Sequence, residues 1–427
     1  MFKKVIYNTA SQTLGKFVTA SSSLLITILI GRTLGPAGYG DFTKVFTFVG
    51  YFYTLADFGF NAIYIKLEAK AATNNLIRCL FGLRLLVSLL LAAVAIALSF
   101  ALPYNPSSGL GFSPIVKLGI IVASLTIITQ ALFTSANAFF QKNLRYDLST
   151  LASIIGTFVI LLVTIFAVLT RASIFLYVAA YVFGGITFVA VAYFLILKKY
   201  SVSLIPEFSK IEFGKLLKGA WPIGVALIFN LIYFRVDVLI LSYSWPSREV
   251  GFYGLAYQFF EVALAIPIFF VNALYPLLSS LYTQDRNEYQ KQTKLWSALF
   301  LSFSIALTIA LEVAAQLIPI LLGPRFAPSK AALMILALGM PFFFISALFW
   351  HMIIIHNKQK TLIFVYAIGA LFNITANLLF IPKYGFLAAS AITVISEALI
   401  LLLLALALKS PIGRSTSSAP VAPDVLK

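Results

Sequence analysis

The chain has 427 residues, of which 61% are hydrophobic and only 11% are charged, and its mean hydropathy is +0.98. Soluble globular proteins carry about 25% charged residues, so this composition excludes a soluble fold and predicts a protein whose solvent is the lipid bilayer. The net charge of +17 would suit a nucleic-acid partner, but the positions of the charges contradict that interpretation.

Hydrophobic stretches long enough to cross a membrane follow one another along almost the whole chain. A spanning helix needs about 20 apolar residues, and these stretches are continuously apolar, which favours helices over a β-barrel. We therefore predict an all-α integral membrane protein whose first stretch is a retained span and not a cleaved signal peptide. The twelve predicted spans are 8–30, 42–64, 79–102, 114–138, 147–169, 174–197, 217–242, 250–275, 295–321, 331–354, 361–381 and 386–408.

The basic residues are distributed unevenly between the predicted loops. With the N-terminus inside, twenty Lys and Arg residues lie in or beside inside loops and six lie in outside loops. This bias follows the positive-inside rule. It predicts that both termini are cytoplasmic in a cell (inner or plasma) membrane, with membrane lipids and no nucleic acid as the partners of the loop charges.

The longest predicted inside loop divides the spans six and six. We predict an N-terminal six-helix lobe (1–197), a cytoplasmic linker (198–216), a C-terminal six-helix lobe (217–408) and a disordered cytoplasmic tail (409–427). The halves carry a weak repeat, in which Gly40 and Phe42 match Gly251 and Tyr253 at one common offset of 211 residues. Two pseudo-symmetric lobes of this kind place the functional region in the central cavity between them.

Several short motifs in a fixed order point to a family. They are LGPAGYGDF (34–42), DFGF (57–60), DVLIL (237–241), VGFYGLAY (250–257), YPLLS (275–279), LLGPRF (321–326) and NLLFIPKYG (377–385). Together they resemble the polysaccharide-biosynthesis flippases of the Wzx type, which move O-antigen and other repeat units. The multidrug exporters and the lipid II flippases belong to the same superfamily, the multidrug/oligosaccharidyl-lipid/polysaccharide exporters.

This resemblance implies a transporter and not an enzyme. The implied activity is translocation of isoprenoid-diphosphate-linked oligosaccharides from the cytoplasmic to the outer leaflet, by ion-coupled alternating access, for surface polysaccharide synthesis. The implied partners are the lipid-linked substrate, glycosyltransferases and a glycan polymerase, and no bound cofactor is implied. Lipid II flippases usually carry two further helices, so a chain with twelve spans favours the repeat-unit flippases.

Five basic residues lie inside predicted spans, where ionisable groups are costly and are functional candidates by default. They are Lys16, Lys44, Arg84, Lys117 and Arg235. Cations in a wet cavity can replace the hydration of a diphosphate, and Lys16, deep in the first span, is the best candidate. Lys44, Arg84 and Lys117 could instead reach the headgroups, and Arg235 could pair with an acid. Asp57 is expected to pair with Arg84 or to cap its helix.

Polar residues in the second lobe predict an ion-coupling site made of Asp237, Asn373, Asn377, Thr393 and Glu397. Asn373 and Asn377 are four residues apart and share one helix face, as do Thr393 and Glu397. The lipid II flippases, which this chain resembles, hold Na⁺ with an acid, two polar residues four apart and a threonine in the corresponding spans. The resemblance therefore implies Na⁺ at Asp237, Asn373, Asn377 and Thr393. Asn377 stands where those flippases have an acid. The asparagines could also be interhelical hydrogen-bonding residues, and Glu261, Glu312 and Glu397 could be proton sites.

Two other functions remain open. A multidrug or cation antiporter of the same superfamily would have an acidic cavity, which the cationic first lobe disfavours. A membrane glycan polymerase or ligase would need catalytic residues in an outside loop, but the longest predicted outside loop (103–113) has no acidic or basic side chain.

Overall fold

The computed structural model describes residues 2–68 and 75–409, and this part of the chain is almost entirely helical. A two-stranded antiparallel hairpin pairs Tyr104 with Gly111. The elements are α1 (Phe2–Asp57), α2 (Phe60–Glu68), α3 (Asn75–Ala101), β1 (Tyr104–Asn105), β2 (Leu110–Gly111), α4 (Pro114–Lys142), α5 (Tyr146–Leu169), α6 (Ile174–Tyr200), α7 (Lys210–Ser244), α8 (Ser247–Gln284), α9 (Arg286–Leu322), the 3₁₀ turn η1 (Pro324–Phe326), α10 (Ala327–Ala337), α11 (Met340–Ile355) and α12 (Gln359–Lys409).

Several helices begin at side chains that satisfy their first backbone N–H groups. Ser113 accepts a hydrogen bond from the Val116 N–H at the start of α4, and Pro114 occupies the first helical position. Asp285 accepts from the Glu288 N–H at the start of α9. Such caps stabilise a helix end by about 1 kcal/mol and set where each helix begins.

Helices α1 and α12 are each interrupted by one glycine. They contain 56 and 51 residues, or about 84 Å and about 77 Å at about 1.5 Å per residue, more than twice the bilayer core of about 30 Å. Gly35 (φ 67°, ψ 179°) and Gly385 (φ 61°, ψ −143°) are non-helical, and their positive φ favours glycine. Helix α1 therefore holds span 8–30 and most of span 42–64, and α12 holds spans 361–381 and 386–408.

Ten of the twelve predicted spans lie within one helix to within one residue. Span 42–64 runs across the break between α1 and α2, and span 331–354 runs across the break between α10 and α11. In the described part of the chain, eight helices are long and apolar enough to cross a membrane, or nine if α10 and α11, which are bent by 41°, form one span. The two interrupted helices each count once among these eight. The predicted all-α membrane fold is confirmed.

The helices pack in two groups, α1–α6 and α7–α12, which meet chiefly along α1 and α8. The largest buried cluster runs through both groups, and a second lies among α2–α6 and the start of α7. The non-helical connection between the groups, 201–209, is shorter than the predicted linker because α7 already begins at Lys210. The lobe boundaries remain predictions, and the predicted disordered tail lies, from residue 410 onward, outside the described residues.

A close backbone contact between the two groups lies at the end of the bundle that carries Gly35, called here the outer end after the predicted orientation. A Cβ atom built on Gly40 would lie 1.7 Å from the Ser247 carbonyl oxygen, and one built on Gly251 would lie 2.0 Å from that of Pro36. Each contacted carbonyl belongs to the residue four positions before the opposite glycine, so the contact is reciprocal. Only glycine permits this approach, and the two positions are those matched in the sequence repeat.

The opposite, inner end is also in contact across the groups. The chain breaks between α1 and α2 at Phe58 and Gly59, which both have positive φ. A Cβ atom built on Gly224 would lie 2.4 Å from the Phe58 ring, and one built on Gly59 would lie 2.4 Å from Ile223 Cγ2. The break in the first group therefore packs directly on α7.

Candidate substrate cavity and ion site

A cavity of about 710 Å³ lies between α1 and α8, with α7 contributing to its wall. Its surface combines aromatic rings with hydroxyl and amide groups. The polar and aromatic lining residues are Tyr39, Phe42, Thr43, Phe46, Thr47, Tyr53, Thr54, Arg235, Tyr257, Gln258 and Glu261. Most of the remaining lining residues are aliphatic.

The wall formed by α1 carries two parallel stripes. Phe42 and Phe46 are four residues apart, and their rings are in contact at 4.7 Å between centroids. Thr43, Thr47 and Thr54 follow the adjacent helical spacing. The Thr43 hydroxyl donates to the Tyr39 carbonyl at 2.9 Å, so its oxygen still offers lone pairs. This wall therefore presents flat apolar faces beside hydroxyl groups.

Arg235 supplies the basic group of the cavity lining. Its Nη2 donates to both Glu261 oxygens at 2.9 Å, and its guanidinium lies 5.2 Å from the centroid of the Tyr257 ring. The Arg235 and Glu261 side chains are 32% and 45% exposed, respectively. The pairing of Arg235 with an acid, which the sequence left open, is thus present, and the two charges cancel within the lining.

Lys44 and Lys117 lie outside the cavity lining. Lys44 is 1% exposed, and its Nζ donates to the Gly111 carbonyl at 2.7 Å, so it anchors the β1–β2 hairpin to α1. Lys117 donates to the Phe100 carbonyl at 3.2 Å near the surface. In this conformation both cations are engaged by backbone carbonyls.

Arg84 is fully buried and binds Asp57. Its Nη2 donates to Asp57 Oδ1 at 2.7 Å and to the Asp57 carbonyl at 3.2 Å, which confirms the predicted pairing. The guanidinium therefore supports the end of α1 at the chain break, and it too lies outside the cavity lining. Lys16 belongs to α1, but its side chain lies outside the described residues.

Asp237 forms the centre of a buried polar cluster. Its Oδ1 accepts from the Val238 N–H at 2.7 Å, and its Oδ2 accepts from the Tyr253 hydroxyl. Thr393 lies 3.5 Å from the same Oδ2 and 3.2 Å from the Tyr253 hydroxyl. Three helices, α7, α8 and α12, thus meet at one carboxylate that is 3% exposed.

The two asparagines lie in a second cluster on α12. Asn377 Nδ2 donates to Asn373 Oδ1 at 2.9 Å, and Asn373 Nδ2 donates to Ser396 Oγ at 3.1 Å. These hydrogen bonds join the parts of α12 before and after Gly385, as expected if the asparagines are interhelical hydrogen-bonding residues. Asn377 Oδ1, however, is buried and has no hydrogen-bond partner within the described part of the chain, and such an oxygen is costly unless something binds it.

The two clusters contain carboxylate, amide and hydroxyl oxygens, which are the kinds of ligand that a hard cation such as Na⁺ takes. Asp237, Thr393 and the unpartnered Asn377 Oδ1 are the residues that would hold it. Glu397 is buried and lies near Tyr257 and Tyr366, one turn beyond Thr393. The predicted ion-coupling residues therefore all lie in α7 and α12, which pack on each other.

Some residues of the site were not predicted from the sequence. Tyr253 joins Asp237 to Thr393, yet it resembles many other tyrosines in an apolar helix. Ser396 is a similar case, although its spacing of three residues from Thr393 places it on the same face. The threonine stripe of α1 could have been found from its spacing in the sequence.

An all-helical membrane bundle with a polar and aromatic cavity between two groups of helices has an architecture that membrane transporters use. The sequence profile of the family described as "Polysaccharide biosynthesis protein" matches residues 5–282, more than half of the chain. The chain belongs to this family, which confirms the resemblance predicted from its motifs. The MatE profile matches residues 222–379.

Individual relatives agree with this assignment. A Shigella dysenteriae protein named "Putative O-antigen transporter" is 24% identical over 383 residues, which cover 88% of this chain and 93% of that protein. The structure of the lipid II flippase MurJ in its inward closed conformation has a TM-score of 0.76 at 15% identity, covering 93% of this chain and 87% of the other. An inward-facing multidrug resistance MATE family transporter of the MOP superfamily has a TM-score of 0.75 at 12% identity, covering 94% and 97%. The protein is therefore a transporter with the fold of this superfamily, and not an enzyme.

Proposed function

We propose that the protein is a flippase that moves isoprenoid-diphosphate-linked oligosaccharides from the cytoplasmic to the outer leaflet for surface polysaccharide synthesis. The observation that carries this proposal is the composition of the α1–α8 cavity, in which aromatic rings, threonine hydroxyls and one arginine face the same space. Membership of the polysaccharide biosynthesis family supports it.

The cavity lining suits both parts of such a substrate. Aromatic faces such as those of Phe42 and Phe46 cover the C–H faces of sugar rings, and the Thr43 and Thr47 hydroxyls and the Gln258 amide can exchange hydrogen bonds with sugar hydroxyls. Arg235 offers a planar guanidinium to the diphosphate. Lys16, in the first span of the same helix α1, is proposed to contact the diphosphate as well.

The sequence also predicts Lys44, Arg84 and Lys117 as substrate contacts. A role for them requires a conformation in which each leaves its present partner. For Arg84 that means leaving an ion pair in which the guanidinium is fully buried and Asp57 is 42% exposed, and a buried charge without its partner is costly. We therefore propose that Lys16 and Arg235 carry the contacts with the diphosphate.

Ion coupling is proposed at the Asp237 cluster. Na⁺ would bind Asp237, Thr393 and the Asn373–Asn377 pair, and H⁺ is the alternative coupling ion, with Glu397 as an additional acidic site. A cation there would link α7 to both parts of α12, so its binding would favour one arrangement of the second group over another.

We propose that the protein lies in the inner or plasma membrane of the cell. Both of its termini then face the cytoplasm. In this orientation the substrate comes from glycosyltransferases at the inner face, and a glycan polymerase acts on the translocated product. The basic inner loops support this orientation.

The decisive experiment is to measure the sidedness of lipid-linked glycans in cells that lack the gene. Accumulation on the cytoplasmic leaflet is expected, and re-expression of the protein should clear it. Accumulation on the outer leaflet would assign the protein to polymerisation or ligation, and the flippase proposal would fail.

A multidrug or cation antiporter is the second candidate, and two observations favour it. The MatE profile matches residues 222–379, and Glu261 with the surrounding aromatic rings could hold an aromatic cation. Cells lacking the gene would then show no glycan accumulation but would become sensitive to cationic dyes. Normal dye resistance together with glycan accumulation inside would exclude this function.

A further inference from the structure

Glu261 forms an ion pair within the cavity itself. Arg235 uses a single nitrogen, Nη2, for both Glu261 oxygens, and its Cζ lies 5.2 Å from the centroid of the Tyr257 ring. A bidentate fork would instead use two nitrogens for two oxygens. The pair therefore does not have the strongest geometry that these two groups can adopt.

Other acids in the neighbourhood do not have this relation to Arg235. Asp237 is two residues further along α7 and so projects from a different side of the helix, where Tyr253, Val238 and Thr393 hold its oxygens. Within the described part of the chain, Arg235 forms its ion pair with Glu261.

A carrier that works by alternating access must also return without its cargo. An arginine left unpaired in a closing cavity loses solvation without compensation, which is energetically costly. If the diphosphate is the charge that pairs with Arg235 on the outward step, another anion is needed on the return step. Glu261 lies within reach of the same guanidinium and is half-exposed to the same cavity.

We propose that Glu261 occupies the position of the substrate's phosphate group in the empty transporter and is displaced when an isoprenoid diphosphate binds Arg235. The carboxylate acts as an internal substitute for the cargo, which keeps Arg235 paired in both halves of the cycle. A diphosphate displaces it because it carries more charge and can use the guanidinium fork with two oxygens. This inference rests on the proposed function, since it assumes an anionic cargo.

Binding of farnesyl diphosphate to the purified full-length protein tests the proposal. Glu261→Gln removes the competing charge and should tighten binding by about threefold to tenfold, a modest gain because both side chains are partly exposed. Arg235→Gln should weaken binding at least about tenfold. Glu249→Gln is the matched control, because Glu249 lies in the first turn of the same helix α8, away from the cavity lining, and it should leave binding unchanged.

Turnover separates the proposed role from a merely structural one. Without its substitute anion the transporter should bind cargo more tightly but return more slowly, so Glu261→Gln should lower the maximal flipping rate in vesicles. Glu261→Asp, whose shorter side chain reaches Arg235 less well, should show both effects to a smaller degree and serves if Glu261→Gln is misfolded, as judged by its thermal unfolding.

Unchanged binding in Glu261→Gln would overturn the proposal, because it would mean that the carboxylate does not compete with the ligand. Weaker binding would overturn it too, because it would make Glu261 a residue that positions Arg235 for the ligand. Wild-type binding in Arg235→Gln would overturn it as well. None of these results touches the leaflet assay, so inner-leaflet accumulation of glycans would still support the flippase function.

Discussion

Replacement of Gly40 by alanine should force α1 and α8 apart at the outer end of the bundle. The built Cβ atom lies 1.7 Å from the Ser247 carbonyl oxygen, whereas real Cβ contacts essentially never fall below 3.0 Å, so the helices must separate by about 1.3 Å. No rotamer change can relieve the contact, because the opposing atom belongs to the backbone. Overpacking of this kind costs about 1–3 kcal/mol, which shifts a two-state equilibrium about 5- to 150-fold toward outward opening.

Cysteine labelling can measure this shift. Thr47 lines the cavity, and a Thr47→Cys reporter in a Cys79→Ser background reacts with an impermeant maleimide from outside only when the outer end is open. Gly40→Ala should raise the labelling rate at least about fivefold. Gly214→Ala is the control, because a Cβ atom there meets nothing within 4 Å, and it should leave the rate unchanged.

The reciprocal geometry also predicts how two substitutions combine. Gly251→Ala alone must lengthen a contact of 2.0 Å to the Pro36 carbonyl, which needs a smaller separation than Gly40→Ala. Once Gly40→Ala has moved the helices, adding Gly251→Ala should have little further effect, because residues in one contact are not additive. Unchanged labelling in Gly40→Ala, or fully additive effects in the double variant, would refute the idea that the contact between α1 and α8 at Gly40 and Gly251 opposes outward opening.

Three further substitutions test other parts of the molecule. Asp237→Asn should abolish Na⁺-induced thermal stabilisation, which amounts to about 2.7 kcal/mol at about 100 times the dissociation constant; stabilisation that survives would place the ion elsewhere. Trp245→Phe removes the 2.8 Å bond to the Ile381 carbonyl beside the Gly385 kink and should destabilise the protein by about 1–3 kcal/mol; an unchanged melting temperature would mean that water replaces the indole. Lys16→Glu should abolish glycan export while the folded protein persists, and full export would remove Lys16 from the substrate path.

The membrane helices could be predicted closely from the sequence. The predicted spans 147–169 and 174–197 agree with Tyr146–Leu169 and Ile174–Tyr200 within three residues at every end. Such accuracy has a physical cause, because a lipid-exposed backbone must satisfy its own hydrogen bonds, and a continuously apolar segment does so as a helix over the full thickness of the bilayer. The shortness of the turns at Gly35 and Gly385, each with a single non-helical residue, was not predictable, since Gly and Pro composition marks a turn but not its length.

The candidate site was predictable only in part. The intramembrane charges are visible in the sequence, and Asp57 was matched to Arg84. The partners of the other cations could not be predicted, because Lys44 binds the carbonyl of a residue 67 positions away and Arg235 binds an acid 26 positions away. Whether a cation faces the cavity or a neighbouring helix depends on how each helix is rotated about its own axis.

The sequence by itself therefore determined that this chain is a bundle of membrane helices of the polysaccharide biosynthesis family, with its charged groups confined to few positions. The tertiary structure alone decided which of those groups share a space: it separated Lys44 and Arg84 from the cavity, placed Glu261 on Arg235, and brought Gly40 against Gly251. Hydropathy and periodicity are properties of single helices. The cavity and the ion cluster depend on packing between helices that are distant in the chain, which no local pattern records.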